Sequence, residues 1–294
     1  MMGALGSRLV HTLVPAAVGA GTAAAAWSVH ANPPGGPERW ERTNHRGETV
    51  TMVEGPAWAL GAGLALLSAP MLPVRVRAGA VLATLGAAVF GAVDDLVENG
   101  ASKGLRGHLG SLGRGEVTTG ALKVLGIGAT GAAAAAVLLP PRHGAGRLSH
   151  LGDVAVAGGV IAGAANLANL LDLRPGRVLK LVLALAPTVL DPGRGGTLRA
   201  AALGATLPLL IPDLCERAML GDCGANAVGA LLGADLVHAT TSGTGGRPAR
   251  AVAFVAIVAL TLASERVSFT RVIESTPGLR TLDALGRRRP ASSR

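Results

Sequence analysis

Nine runs of mostly apolar residues, separated by short polar stretches, dominate this sequence. They lie at about 5–29, 55–72, 76–93, 118–139, 151–170, 178–190, 198–212, 223–239 and 249–264. A helix needs about 20 such residues to cross a bilayer; the sixth and seventh runs are the shortest. Gly and Pro within the runs are tolerated in membrane helices. Gly159 and Gly163, four apart, suit close helix packing. Only 15% of residues are charged and 49% are hydrophobic, against about 25% charge in a soluble domain. That balance excludes intrinsic disorder and argues against a soluble enzyme. The expected fold is an all-α integral membrane protein of about nine transmembrane helices. It comprises a polytopic domain over 1–264 and a basic tail over 265–294. The first run carries a single early charge, Arg8, and is long for a signal peptide, so it is expected to be retained.

Charge sets the orientation. With the N-terminus outside, the inward segments are 30–54, 94–117, 171–177, 213–222 and the tail. Counted with Lys180, they hold 17 of the 27 Lys and Arg residues. Lys123, inside the fourth run, is assigned to neither side. This excess predicts a multi-pass plasma-membrane protein with its C-terminus in the cytoplasm. Fifteen of the 18 acids fall in the same segments, the exceptions being Asp153, Asp191 and Asp235. Orientation alone requires no such acid bias, so the cytoplasmic face is the expected working surface, although longer loops also hold more polar residues. The net charge of +9 does not point to nucleic acid, because three Phe, three Trp and no Tyr leave almost no base-stacking surface. Cys215 and Cys223 form neither a disulfide framework nor a zinc pattern.

Three motifs fall at cytoplasmic ends of the runs. Asp94 and Asp95 form adjacent carboxylates that repel unless a cation is near, and hard oxygen ligands favour magnesium; a solvated helix end is the simpler alternative. Asn166, Asn169 and Asp172, spaced by three, share one helical stripe. They suit either a polar substrate or interhelical hydrogen bonding. Gly221-Asp222-Cys223-Gly224-Ala225-Asn226 opens the eighth run, where a helix N-terminus favours an anion and Asp222 is a candidate metal ligand or a plain N-cap. Residues 102–115 form a short amphipathic stretch in which Lys103 and His108 are candidate phosphate contacts. Asn44, in the charged loop 38–49, is a candidate phosphate or sugar contact.

The order DD, N-x-x-N-x-x-D, GDxGxN resembles the polyprenyl-phosphate sugar-1-phosphate transferases. This superfamily includes the phospho-MurNAc-pentapeptide transferase of peptidoglycan synthesis and the GlcNAc-1-phosphate transferases. The resemblance covers roughly residues 40–264. It implies magnesium-dependent transfer of a sugar-1-phosphate from a UDP-sugar to polyprenyl phosphate, with release of UMP, in cell-envelope polymer synthesis. Manganese is the alternative metal. It further implies catalytic roles for Asp94, Asp95 and Asp172, a place for Asn169 in the same motif as Asp172, and metal binding by Asp222; by residue type and position Asp94 is a second candidate metal ligand, and Asn44, Lys103, His108, Asn166, Asn169 and Asn226 are candidate substrate contacts. Membrane lipid and a second copy of the chain are the other implied partners.

The chain departs from the family pattern in several places. Glu98 stands where the family commonly has a lysine after the acidic pair, and the nearest lysine is Lys103. Asp172 is followed by LRPG without a second Asp. The His-rich loop and a tenth span are absent, and Glu265, Arg266 or Ser268 of the tail are the candidates to replace that loop. The competing reading is a non-catalytic relative that binds the lipid carrier as a scaffold in envelope assembly. The two readings part at the metal. A catalyst gathers Asp94, Asp95 and Asp222 around one magnesium, whereas a side chain at that point favours the scaffold. A transporter would place carboxylates near the midplane of broken helices rather than at one face.

Overall fold

The computed structural model describes residues 2–69, 72–97, 119–141, 144, 146–191, 195–241 and 245–288. Among the described residues the regular structure is helical, apart from one small hairpin. Helix α1 (Met2–Trp27) is followed by strands β1 (Glu41–Thr43) and β2 (Thr49–Thr51), paired antiparallel with Arg42 opposite Val50. Then come α2 (Glu54–Leu67), α3 (Val74–Val97), α4 (Thr119–Leu138), α5 (Arg147–Leu171), α6 (Arg177–Ala184), α7 (Gly196–Thr206) and α8 (Leu210–Leu214). The last four are α9 (Gly221–Ala239), α10 (Gly246–Ser264), α11 (Phe269–Ser275) and α12 (Pro277–Ala284).

Among the described residues five helices are long and apolar enough to cross a membrane: Leu9–Ala31, Val74–Val97, Gly120–Leu138, Arg147–Leu171 and Gly246–Ser264. This supports an all-α membrane protein and corrects the expected set of nine spanning helices. The run at 178–190 forms only α6 before a 3-10 turn, and that at 198–212 divides into α7 and α8. At 1.5 Å per residue, the eight residues of α6 and eleven of α7 reach roughly 12 and 17 Å, well short of the ~30 Å hydrocarbon core.

Helix α9 occupies the centre, packed on α3, α5 and α2. Most of its residues are buried, including Asn226 and Asp235. A helix enclosed on all sides needs no polar face, and its many glycines let neighbouring backbones approach. A Cβ on Gly229 would come within 2.3 Å of the Ala164 carbonyl, and one on Gly55 within 2.2 Å of the Leu220 carbonyl. Gly159 and Gly163 fulfil the packing expected of them: they receive Phe254 and Ile257 of α10. At the end opposite the motifs, Arg199 donates to Asp235 at 2.7 Å, joining α7 to α9.

Candidate functional site

Close approach of α3 and α9 creates the site. A Cβ on Gly91 would lie 2.3 Å from the Asp222 carbonyl oxygen and 2.7 Å from the Cys223 nitrogen. Only glycine permits this crossing. One turn later, Asp95 accepts from the Asp222 amide (3.0 Å) on one oxygen and from the Cys223 amide (2.8 Å) on the other. Its carboxylate therefore caps the N-terminus of α9, where negative charge meets the positive end of the helix dipole. Arg42 of the hairpin donates to the Asp95 carbonyl. Asp95 is placed here as a positioning residue, and the anion site expected at this helix start is taken by the protein's own carboxylate.

Asp94 and Asp222 converge. The ammonium group of Lys123, near the start of α4, donates to one oxygen of each. Asp94 is 5% exposed, so two carboxylates 128 residues apart share one cation in a largely dry setting. Lys123 is the member of this site that motif reading missed. The signal was available: it is the one charged residue of the fourth run, and an ionisable group within a membrane span is a default candidate for a functional site.

The donor set fits a divalent cation in a limited sense. Among the described residues no group of three or more His, Cys, Asp or Glu is arranged to hold a metal. Magnesium, however, is commonly held by one or two carboxylates together with substrate phosphates, and Asp94 and Asp222 already aim at a single positive charge.

Beside this centre lies a pocket of about 330 Å³. Its polar lining is Asn44, His45, Asp172, Arg174, Asp213 and Glu216, with Val50 and Met219 among its apolar walls. Asp172 caps the C-terminus of α5. Burial, and next Asp213, raises its carboxyl well above the usual range, while a hydrogen bond from the Gly221 amide pulls the other way. Burial pushes Asp213 up to about 7, although it accepts from the Gly176 amide at 3.0 Å. Burial and then Arg174 lower His45. Glu54 lies near both acids, fully buried, with no hydrogen-bond partner for either carboxylate oxygen among the described residues.

Asp213 gives a pH prediction. Its folded-state pKa exceeds the unfolded value, so the folded protein holds a proton that the unfolded chain releases. That stabilisation is complete below the ordinary aspartate value of 3.8 and is lost as pH rises through about 7. Asp213→Asn is expected to flatten the decline in Tm across this window and to raise Tm on its alkaline side. An unchanged slope would exclude Asp213 as the titrating group.

Several candidate contacts are spent on the protein itself. Asn44 holds the hairpin turn, accepting from the Arg46 and Glu48 amides at 2.8 and 2.9 Å and donating to Glu216 at 3.1 Å. Glu216 stands at φ 57°, a strained conformation for a residue with a Cβ, and Arg46 pairs with it at 3.0 Å. Asn226 is 1% exposed and donates to the Asp222 carbonyl at 2.7 Å. It braces the first turn of α9. Asn166 donates to Thr261 of α10 at 3.4 Å, which is the interhelical alternative. Asn169 is partly exposed near the end of α5. Lys103, His108 and Glu98 lie outside the described residues. The tail meets the site's walls through Arg287 and Arg288 rather than through Glu265, Arg266 or Ser268: Arg287 donates to the Pro175 carbonyl at 2.9 Å, and Arg288 lies 3.9 Å from Glu216. No protein-family model matches this chain, and no curated protein matches it.

Proposed function

We propose that this chain is an integral membrane phosphoglycosyl transferase. It moves a sugar-1-phosphate from a UDP-sugar to polyprenyl phosphate and releases UMP, in the synthesis of a cell-envelope polymer. The observation that carries the reading is the convergence of Asp94 and Asp222 on one cation, with Asp95 locking the two helices and the Asp172 pocket alongside. The ends of α3, α5 and α10 and the starts of α2, α4 and α9 belong to this same face. That alternation supports a plasma-membrane protein whose long apolar helices run alternately across the bilayer, with α9 enclosed by protein. The excess of positive charge supports a cytoplasmic position for this face and an N-terminus outside.

The reaction needs alignment and charge neutralisation more than covalent help. A lipid monophosphate, with a second pKa of ~6, is largely ionised at neutral pH, so its oxygen attacks without a protein base. The new bond forms at the sugar-bearing phosphorus, the diphosphate P–O bond breaks, and UMP leaves with the electron pair. Asp94 and Asp222 would hold magnesium, or manganese in its place, which supplies Lewis-acid neutralisation of the diphosphate. Lys123, on a flexible stem, has the reach and charge to hold either the carboxylates or a phosphate oxygen. Asp172 lines the pocket offered to the soluble donor.

Lys123 between the carboxylates specifically favours the second reading, a lipid-carrier-binding scaffold in envelope assembly in which lysine replaces the metal for good. Purified protein with magnesium, undecaprenyl phosphate and a panel of UDP-sugars separates the two. Magnesium-dependent UMP release that is lost in Asp222→Asn is the expected result. No UMP from any donor, with polyprenyl phosphate still bound, establishes the scaffold.

A further inference from the structure

Helix α12 is held to the rest of the chain mainly by charged and polar groups. Arg177 donates to both oxygens of Asp283 at 2.8 and 3.2 Å. Lys180 donates to the carbonyls of Leu282 and Asp283 at 3.2 and 2.7 Å, and Arg287 bridges Asp283 to Pro175. Neither α11 nor α12 buries any residue. Leu279 and Leu282, three apart on one side of α12, are 43% and 62% exposed, and Leu285, just past the end of the helix, is 65% exposed. An eight-residue helix without buried apolar surface is unstable in water, so this stripe requires an apolar medium of its own.

Two observations identify the medium. Helix α10 exposes Val252, Val255, Leu260 and Leu262 along its length, as a lipid-facing span does, and α11 begins only five residues after Ser264. The tail thus leaves α10 at the bilayer surface. The charge also fits, since residues 265–294 carry seven arginines against three acids, and Arg266, Arg271 and Arg280 are exposed. We propose that α11–α12 lies on anionic lipid, its leucine stripe at the headgroup boundary and its arginines on lipid phosphates. The same segment touches two walls of the pocket: Pro175 through Arg287, and Glu216 through Arg288 at 3.9 Å. Lipid contact therefore braces those walls.

The inference rests on the membrane reading of α10 and is independent of the transferase reading, because its test measures no activity. The full chain carries Cys215→Ala and a fluorophore attached through Leu282→Cys; Cys223 is buried and stays. It is reconstituted in phosphatidylcholine vesicles with or without phosphatidylglycerol. With phosphatidylglycerol, lipid-borne nitroxide is expected to quench the label more than aqueous iodide. That ratio should fall roughly tenfold in Arg271→Gln/Arg280→Gln and in phosphatidylcholine alone. Iodide dominating in every case, equal lipid quenching in both vesicle types, or protection that grows with protein concentration, as a second copy would give, overturns the proposal.

Discussion

Replacing Lys123 by methionine is expected to lower stability by about 3–5 kcal/mol, the usual cost of removing one partner from a buried ion pair. Methionine keeps much of the stem's volume, so the loss reports charge rather than a cavity. Its ammonium group is the partner shared by Asp94 and Asp222, and without it two carboxylates face each other at a single point. Magnesium should then raise the Tm of the variant far more than that of the parent. Saturation at a hundredfold excess over Kd contributes about 2.7 kcal/mol, and a chelator should reverse the gain. Calorimetry or a thermal-shift assay in detergent checks this without any substrate. A variant whose Tm ignores magnesium would show that the two carboxylates do not form a divalent site, and the scaffold reading would gain.

The second large effect is expected at Gly91. In Gly91→Ala the new methyl group meets the Asp222 carbonyl and the Cys223 amide at 2.3 and 2.7 Å. Both are backbone atoms, so no rotamer change relieves the contact, and α3 must move away from α9. Overpacking of this kind costs about 1–3 kcal/mol, opposed by alanine's helix preference of up to ~1 kcal/mol. The functional loss should exceed the loss of stability, because a shift of α3 removes the Asp95 cap and parts Asp94 from Asp222 together. UMP release is expected to fall by about a hundredfold, the scale of a 1 Å misplacement. Gly128→Ala is the control: it lies within α4 with nothing inside 4 Å of its new Cβ, and there the same substitution should be neutral or stabilising. Equal behaviour of the two variants would refute the close-approach argument.

The fold was legible where a long apolar run coincides with one long helix, as in α3, α4, α5 and α10. It was less legible for α6 and α7. Hydropathy measures how much apolar surface a run offers but not where a helix breaks, and a short helix buried against protein is as apolar as a spanning one. The acidic pair and Asp222 were legible because carboxylates at the ends of apolar runs are costly without a purpose. Their division of labour was not. Asp94 and Asp95 are neighbours in sequence, but helical rotation turns one toward Lys123 and the other onto the α9 backbone. Asn44, Asn166 and Asn226 show a different limit. An amide offers the same donors and acceptors to a ligand as to a carbonyl or hydroxyl of its own chain, and only the fold reveals which is present. Lys123 was readable as a lone charge in a span, but its partners lie on two other helices.

The Asp95 cap also decides which parts of this region can move. Two backbone amides of α9 are bonded to a side chain of α3, and Gly91 leaves no gap between the helices, so the two form one stiff wall. Lys123 approaches that wall from a third helix on a flexible four-carbon stem. Exchange of one cation for another at the carboxylates is then a side-chain rotation that leaves the helices where they are, so the ligand geometry offered by Asp94 and Asp222 is the same before and after the exchange.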